Sequence, residues 1–212
     1  MPNNKSNEAL LNGSEERPYP PGRIKIAEAL RVLLREKDFG AITTAEIART
    51  AGVTEALIYK YFKDKRDLLH QVLAEYLEIY LRTTSMDLKG IKGALNKLRK
   101  IVWTHIHVYA TDRVFAKILL IEARNFSDYY HSEPYKRVRE YTDVLREILE
   151  EGIEEGVIRD DLSPAFMRQV ILGAIEQLCL TGVVFNREIS PDELTENLCD
   201  FIFKGIVKPP RK

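Results

Sequence analysis

From Gly22 almost to its end the chain repeats apolar residues with the three- to four-residue spacing of helices, and no segment shows convincing two-residue alternation of strands. Ile24, Ala27, Leu30 and Leu34 share one helical face, and that pattern stops near Phe39-Gly40. Two short helices are expected within 43–62. Leu68, Val72, Leu73, Tyr76 and Leu77 predict a long helix over 65–85. Three more are expected over 88–110, 112–126 and 134–155, the last stopped by Gly156. Ser163-Pro164 supplies an N-cap followed by proline at the first helical position, and Ser190-Pro191-Asp192-Glu193 predicts a full capping box. The fold class is all-α.

The two short helices carry the densest local signals. Thr43-Thr44-Ala45-Glu46 reads as a capping box, in which the Thr43 hydroxyl and the Glu46 carboxylate each satisfy the other's amide. Gly52 then provides the left-handed residue that ends a helix in a sharp turn, and Thr54 caps the next helix, over 55–61. Ala48 is small where two steeply crossing backbones must approach. Ile47, Ala51, Val53, Ile58 and Phe62 sit at offsets that fill the inner corner. This layout is that of a helix-turn-helix, whose second helix enters the major groove of DNA. Thr54, Glu55, Lys60 and the Tyr59 and Tyr61 hydroxyls can project outward, with Lys63, Lys65 and Arg66 following. Lysines and helix N-termini neutralise backbone phosphate.

The run from Ile42 to Lys65 contains an Ile-Ala pair (Ile47-Ala48), Ala51-Gly52-Val53-Thr54, and Tyr59-Lys60-Tyr61-Phe62 with Lys65 three residues on. It resembles the signature of the tetracycline-repressor family. The resemblance implies nine or so helices, a homodimer, and a repressor that a small molecule releases from DNA. Carried to matching positions, it implies phosphate contacts for Thr43 or Thr44, Tyr61 and Lys65, and places Thr54, Glu55, Ala56 and Lys60 near bases. Glu55-Ala56-Leu57 stands where many members have Lys-Gly-Thr. The acidic Glu55 could accept from a cytosine amino group, or could be a first-turn charge favoured by the helix dipole. Further along, Ile121-Glu122-Ala123-Arg124 through Tyr135, Leu145 to Gly152, and Gly156-Val157-Ile158-Arg159 resemble the branch that controls fatty-acid degradation and senses long-chain acyl-CoA.

Charge and composition refine this picture. The 212 residues carry no net charge, but residues 17–70 hold 11 Lys and Arg against 7 Asp and Glu, so the positive excess lies on the helix-turn-helix region. Residues 1–21 are polar and end in three prolines, which suits a disordered tail; with only Lys5 and Arg17 as cations it makes a poor minor-groove arm. The expected division is therefore a tail at 1–21, a DNA-binding domain at 22–67 and a dimerisation and ligand-binding domain at 68–207. Cys179 and Cys199 lie in apolar helical stretches and read as buried thiols. No stretch approaches an uninterrupted membrane span, and no signal peptide is evident, so a cytoplasmic protein is expected.

The helix at 164–185 is apolar nearly all round, and the last helix, 191–204, carries the stripe Leu194, Leu198, Phe201 and Ile202. Together with their symmetry mates they would form a four-helix dimer interface. Trp103, His107, Phe115, Phe126, Tyr129, Tyr130 and Tyr141 are candidates for lining a hydrophobic effector cavity, with plain core packing as the alternative for each. The effectors considered are an acyl-CoA and, for an efflux-pump repressor, a drug-like aromatic compound. No cofactor or metal is expected: His105 and His107 lie two apart and so point about 200° from each other on a helix. No enzyme motif is present. A helical interaction protein without DNA binding would need a neutral outer face on the second short helix, which Lys60, Lys63, Lys65 and Arg66 oppose.

Overall fold

A computed structural model describes residues 19–127 and 129–207. The expected tail at 1–21, with Lys5 and Arg17, falls mostly outside the described residues. Among the described residues there are nine α-helices, α1 Pro21–Leu34, α2 Thr44–Ala51, α3 Glu55–Tyr61, α4 Lys65–Asp87, α5 Ala94–Thr111, α6 Arg113–Lys117, α7 Glu133–Glu154, α8 Pro164–Val184 and α9 Pro191–Ile206. No strand occurs among them, and a single antiparallel bridge joins Ile158 and Val207. The fold is all-α.

The chain forms two compact units. Of the described residues, one unit holds those up to Tyr76 together with those within Arg113–Tyr135, and the other holds Leu77–Asp112 together with Lys136–Val207. This differs from the division expected at residue 67, because residues of 113–135 meet Lys37, Phe39, His70 and Tyr76. The first unit is centred on Leu30, Ile47, Ile58, Leu68 and Phe115, all fully buried. In the second, α5 runs against α8 and α9, and Leu98, Ile101, Ile175 and Cys199 are sealed from water. Cys179 and Cys199 are buried and form no disulfide.

Several boundaries follow from local chemistry. The Thr43 hydroxyl accepts from the Glu46 amide at 3.2 Å, and Gly52 takes φ +66°, where a side chain would be strained. Ser163 accepts from the Phe166 amide at 3.3 Å. The Glu46 carboxylate takes the Lys37 ammonium and also returns the bond of the Thr43 amide, and both hold its pKa below the ordinary carboxylate value. Elsewhere the structure corrects the sequence. Ser190 makes no side-chain cap bond, so the box expected there is incomplete. The helix expected from residue 88 begins only at Ala94, after Gly90 and Gly93 adopt φ of +87° and +82°.

The largest correction concerns 112–126. Instead of one α-helix, α6 passes into wide π-type turns over Ile118–Glu122 and a tight 3₁₀ turn over Ala123–Asn125. Tertiary bonds accompany the change. Glu122 Oε1 accepts from the Phe39 amide at 3.1 Å, and Lys117 Nζ donates to the Lys37 carbonyl at 2.9 Å. Each such bond contributes about 1 kcal/mol of tertiary stabilisation. Helix α8 also qualifies an expectation. By length and composition it is apolar enough to cross a bilayer, with a mean hydropathy of 1.3, although Arg168 and Glu176 interrupt it.

Candidate nucleic-acid interface

Helices α2 and α3 are joined by three residues, with Val53 N–H donating to the Ala48 carbonyl at 3.0 Å across the turn. Ile47, Ala48 and Ile58 fill the inner corner and are buried. The other side of α3 is open: Thr54, Glu55, Ala56 and Lys60 are exposed, and Tyr59 is 56 % exposed, so its ring is no core residue. Tyr61 is half-buried, with the Lys60 ammonium 5.8 Å from its ring centre. This is the surface that sequence reasoning aims at DNA, and the structure leaves it uncovered.

Hydrogen-bond bookkeeping separates the residues proposed for phosphate. Thr43 uses its oxygen as an acceptor, which leaves its own proton free to donate. Thr44 donates its one proton to Glu55 Oε2 at 2.9 Å, so it is committed within the protein. Lys65 is spent differently from the expected phosphate contact. Its ammonium donates to the carbonyls of Phe39 at 2.9 Å and Ile42 at 2.6 Å, and lies 4.4 Å from the Phe39 ring centre. Burial pushes its pKa below the ordinary lysine value, against the raising effect of Glu122. The Lys63 side chain stays exposed, while its amide donates to Asp67.

The residues that hold this surface in place were invisible to local pattern. Glu122, Lys117 and Lys65 grip the 37–42 segment in front of α2. The Glu75 carboxylate bridges Arg23 at 2.7 Å and Arg31 at 2.6 Å, tying α1 to α4. These pairs are separated by up to 83 residues. Charge at those positions was the only signal, and charge alone names no partner.

The seven effector candidates are divided between the two units. Phe115, Phe126, Tyr129 and Tyr130 belong to the first unit; Trp103, His107 and Tyr141 belong to the second. Phe115 packs on Tyr76 with ring centres 5.5 Å apart, and Phe126 meets Phe39 and His70 edge-on. Tyr129 is buried, whereas Tyr130 is 59 % exposed. Trp103 and His107 stack 4.5 Å apart on the α5–α9 seam, beside an open groove of about 420 Å³. There the indole N–H donates to Asp192 at 2.7 Å. Burial, then Lys100, lowers the His107 pKa against the pull of Asp192.

Tyr141 is fully buried, and its ring lies 4.8 Å from that of His105. Burial raises its pKa, opposed by Thr84. His105 Nδ1 is 2.9 Å from the Ile101 carbonyl, so Nδ1 carries the proton and Nε2 is an acceptor, buried without a partner among the described residues. Among the described residues no group of three or more His, Cys, Asp or Glu could hold a metal ion.

Residues 26–72 match the family model described as bacterial regulatory proteins of the tetR family, and residues 92–180 match the tetracyclin repressor-like C-terminal domain. The chain belongs to the tetracycline-repressor family. It is a transcriptional regulator and not an enzyme, which removes the alternative of a helical interaction protein without DNA binding. The fatty acid metabolism regulator protein of Bacillus subtilis is 26% identical over 186 residues, spanning 88% of this chain and 96% of the relative. A repressor of the same general class, KstR2 of Mycolicibacterium smegmatis, is 23% identical over 66% of this chain and 69% of its own length. Among solved structures, FadR from Bacillus subtilis in complex with stearoyl-CoA superposes with a TM-score of 0.79 at 26% identity, covering 86% of this chain and 98% of that one. FadR from Bacillus halodurans, at 22% identity and a TM-score of 0.76 over 86% and 98% of the two chains, shares the fold.

Proposed function

We propose that this tetracycline-repressor family member is a repressor that binds a palindromic operator as a homodimer in the cytoplasm and is released by a small hydrophobic effector, an acyl-CoA. The observation that carries the effector is the likeness, over nearly the whole chain, to a regulator of fatty acid metabolism and to a structure holding stearoyl-CoA. On the DNA side, Thr43 and Lys63 donate to phosphates, and Thr54, Glu55, Ala56, Tyr59, Lys60 and Tyr61 lie along the groove. Lys65 acts on DNA through the 37–42 segment it holds, and Thr44 acts through Glu55. Dimerisation uses 164–185 and 191–204, where Phe166, Val170, Leu178 and Phe201 are exposed apolar residues.

Within the second unit, the buried Tyr141 and His105 offer a polar foothold, with His105 Nε2 suited to a ligand N–H or O–H. An effector releases DNA only to the extent that it prefers the state that cannot bind it. The test is calorimetric titration with acyl-CoAs of several chain lengths, free fatty acids and hydrophobic aromatic cations, with and without operator duplex. A long acyl-CoA is expected to bind and to lower operator affinity, with operator lowering its affinity by the same factor. Binding and DNA release by an aromatic cation, with none by any acyl-CoA, would replace this reading with that of an efflux-pump repressor.

A further inference from the structure

The role of Glu55 is decided by which partners its two oxygens have. It opens α3 on the exposed face, and its Oε2 accepts the Thr44 hydroxyl proton at 2.9 Å, a bond that joins the first residue of α2 to the first of α3. Among the described residues nothing donates to Oε1. We infer that Glu55 is a specificity-determining residue that reads a cytosine in each operator half-site, and that Thr44 positions it. The inference rests on α3 being the helix that enters the major groove.

A carboxylate carried against DNA loses water and faces phosphate charge, so it is tolerated only where a donor meets it. The base edges in the major groove differ in this respect. Guanine presents two acceptors, and thymine an acceptor and a methyl group, so both repel a carboxylate or leave it unpaired. Adenine offers an amino group beside the N7 lone pair, which suits an amide better than a group that only accepts. Cytosine presents its N4 amino donor without an acceptor beside it. An acceptor-only side chain therefore favours cytosine and disfavours the others by repulsion. The Thr44 bond adds preorganisation. With one oxygen already held, less side-chain freedom is lost when the other meets the base.

The experiment selects duplexes from a randomised pool with the full-length protein and with its Glu55→Ala, Glu55→Gln and Thr44→Val variants. Glu55 is exposed, so its variants keep the fold. The unaltered protein should retain cytosine at one position of each half-site, and replacing that base should cost roughly ten- to a hundredfold in affinity. Glu55→Ala should erase the preference at that position and at no other. Glu55→Gln should move it toward adenine, whose N6 and N7 pair with an amide. Thr44→Val should keep cytosine but narrow the discrimination; unchanged discrimination would remove Thr44 from the inference. An enriched operator from which Glu55→Ala selects the same bases as strongly overturns the inference and leaves the repressor reading standing. Failure of the unaltered protein to enrich any sequence overturns both.

Discussion

Both compact units pair charged side chains internally, and they differ in what two of their faces leave outward. In the first, charged and polar side chains find partners within the unit: Glu75 holds two arginines, Lys65 two carbonyls and Glu122 the Phe39 amide. What remains outward on α3 is polar, with exposed Glu55, Tyr59 and Lys60. In the second, α8 and the segment after it leave Phe166, Val170, Leu178, Val184 and Phe185 between 45 % and 65 % exposed, and Phe201 on α9 is 78 % exposed. Large exposed apolar side chains on one pair of helices are what a protein–protein interface requires. On the proposed reading, one unit presents a polar face to DNA and the other an apolar face to its symmetry mate.

That contrast is most directly broken at Phe201. In a two-fold interface each residue on or near the axis is used twice, and an unpaired carboxylate buried there costs several kcal/mol. Phe201→Glu should convert a sedimenting dimer to a monomer and lower operator affinity by roughly a hundredfold or more. A variant that still sediments as a dimer would mean that this apolar face is not the interface.

Two lysines sharpen the contrast within the first unit. Lys65→Ala leaves the Phe39 and Ile42 carbonyls without their donor, at a cost of about 1–3 kcal/mol in stability, and should weaken operator binding by about tenfold. The slope of log affinity against log salt should stay unchanged, since no phosphate contact is lost. Lys63→Ala should leave the melting temperature unchanged and reduce the slope by about one unit for each Lys63 on the DNA. If the slope falls for Lys65→Ala instead, that ammonium reaches a phosphate and the clamp is secondary.

The smallest effect concerns pH and the second unit. Burial holds the His105 pKa below the ordinary histidine value, more than the Ile101 carbonyl and Glu176 restore it. As pH falls, the unfolded chain therefore binds this proton first. The stability contributed is complete above the unfolded value, about 6.5, and is lost as pH drops below it. Melting temperatures followed from about pH 7.5 to about 5.5 should fall by a few degrees more for the unaltered protein than for His105→Phe. Parallel curves would show that His105 does not titrate on unfolding.

The cues between residues 43 and 62 needed no tertiary information. Thr43 and Gly52 act through neighbours three or four positions away, so cap and turn could be read directly and the structure reproduces them, whereas Thr54 holds the N-cap position of α3 without a side-chain cap bond. Ser163-Pro164 and Gly156 worked for the same reason. Segment 113–126 is the opposite case. Its periodicity is helical, but the backbone is drawn into wider and tighter turns while Glu122 and Lys117 bind atoms some eighty residues away. The aromatic candidates fall in both units, because helical spacing says which residues share a face but not which face meets which.

What the amino-acid order determined alone is thus the all-α class, the helix-turn-helix and the identity of the residues on its outer face, because those depend on contacts within a turn or two of helix. Only the tertiary structure decided which donors are already spent. Thr44 and Thr43 are adjacent and chemically identical, yet one gives its proton to Glu55 and the other keeps it. Lys63 and Lys65 are two apart, and only the second is held by carbonyls from a segment more than twenty residues earlier. A side chain's type fixes how many hydrogen bonds it can make. Which of them remain for a ligand depends on what the fold has brought beside it.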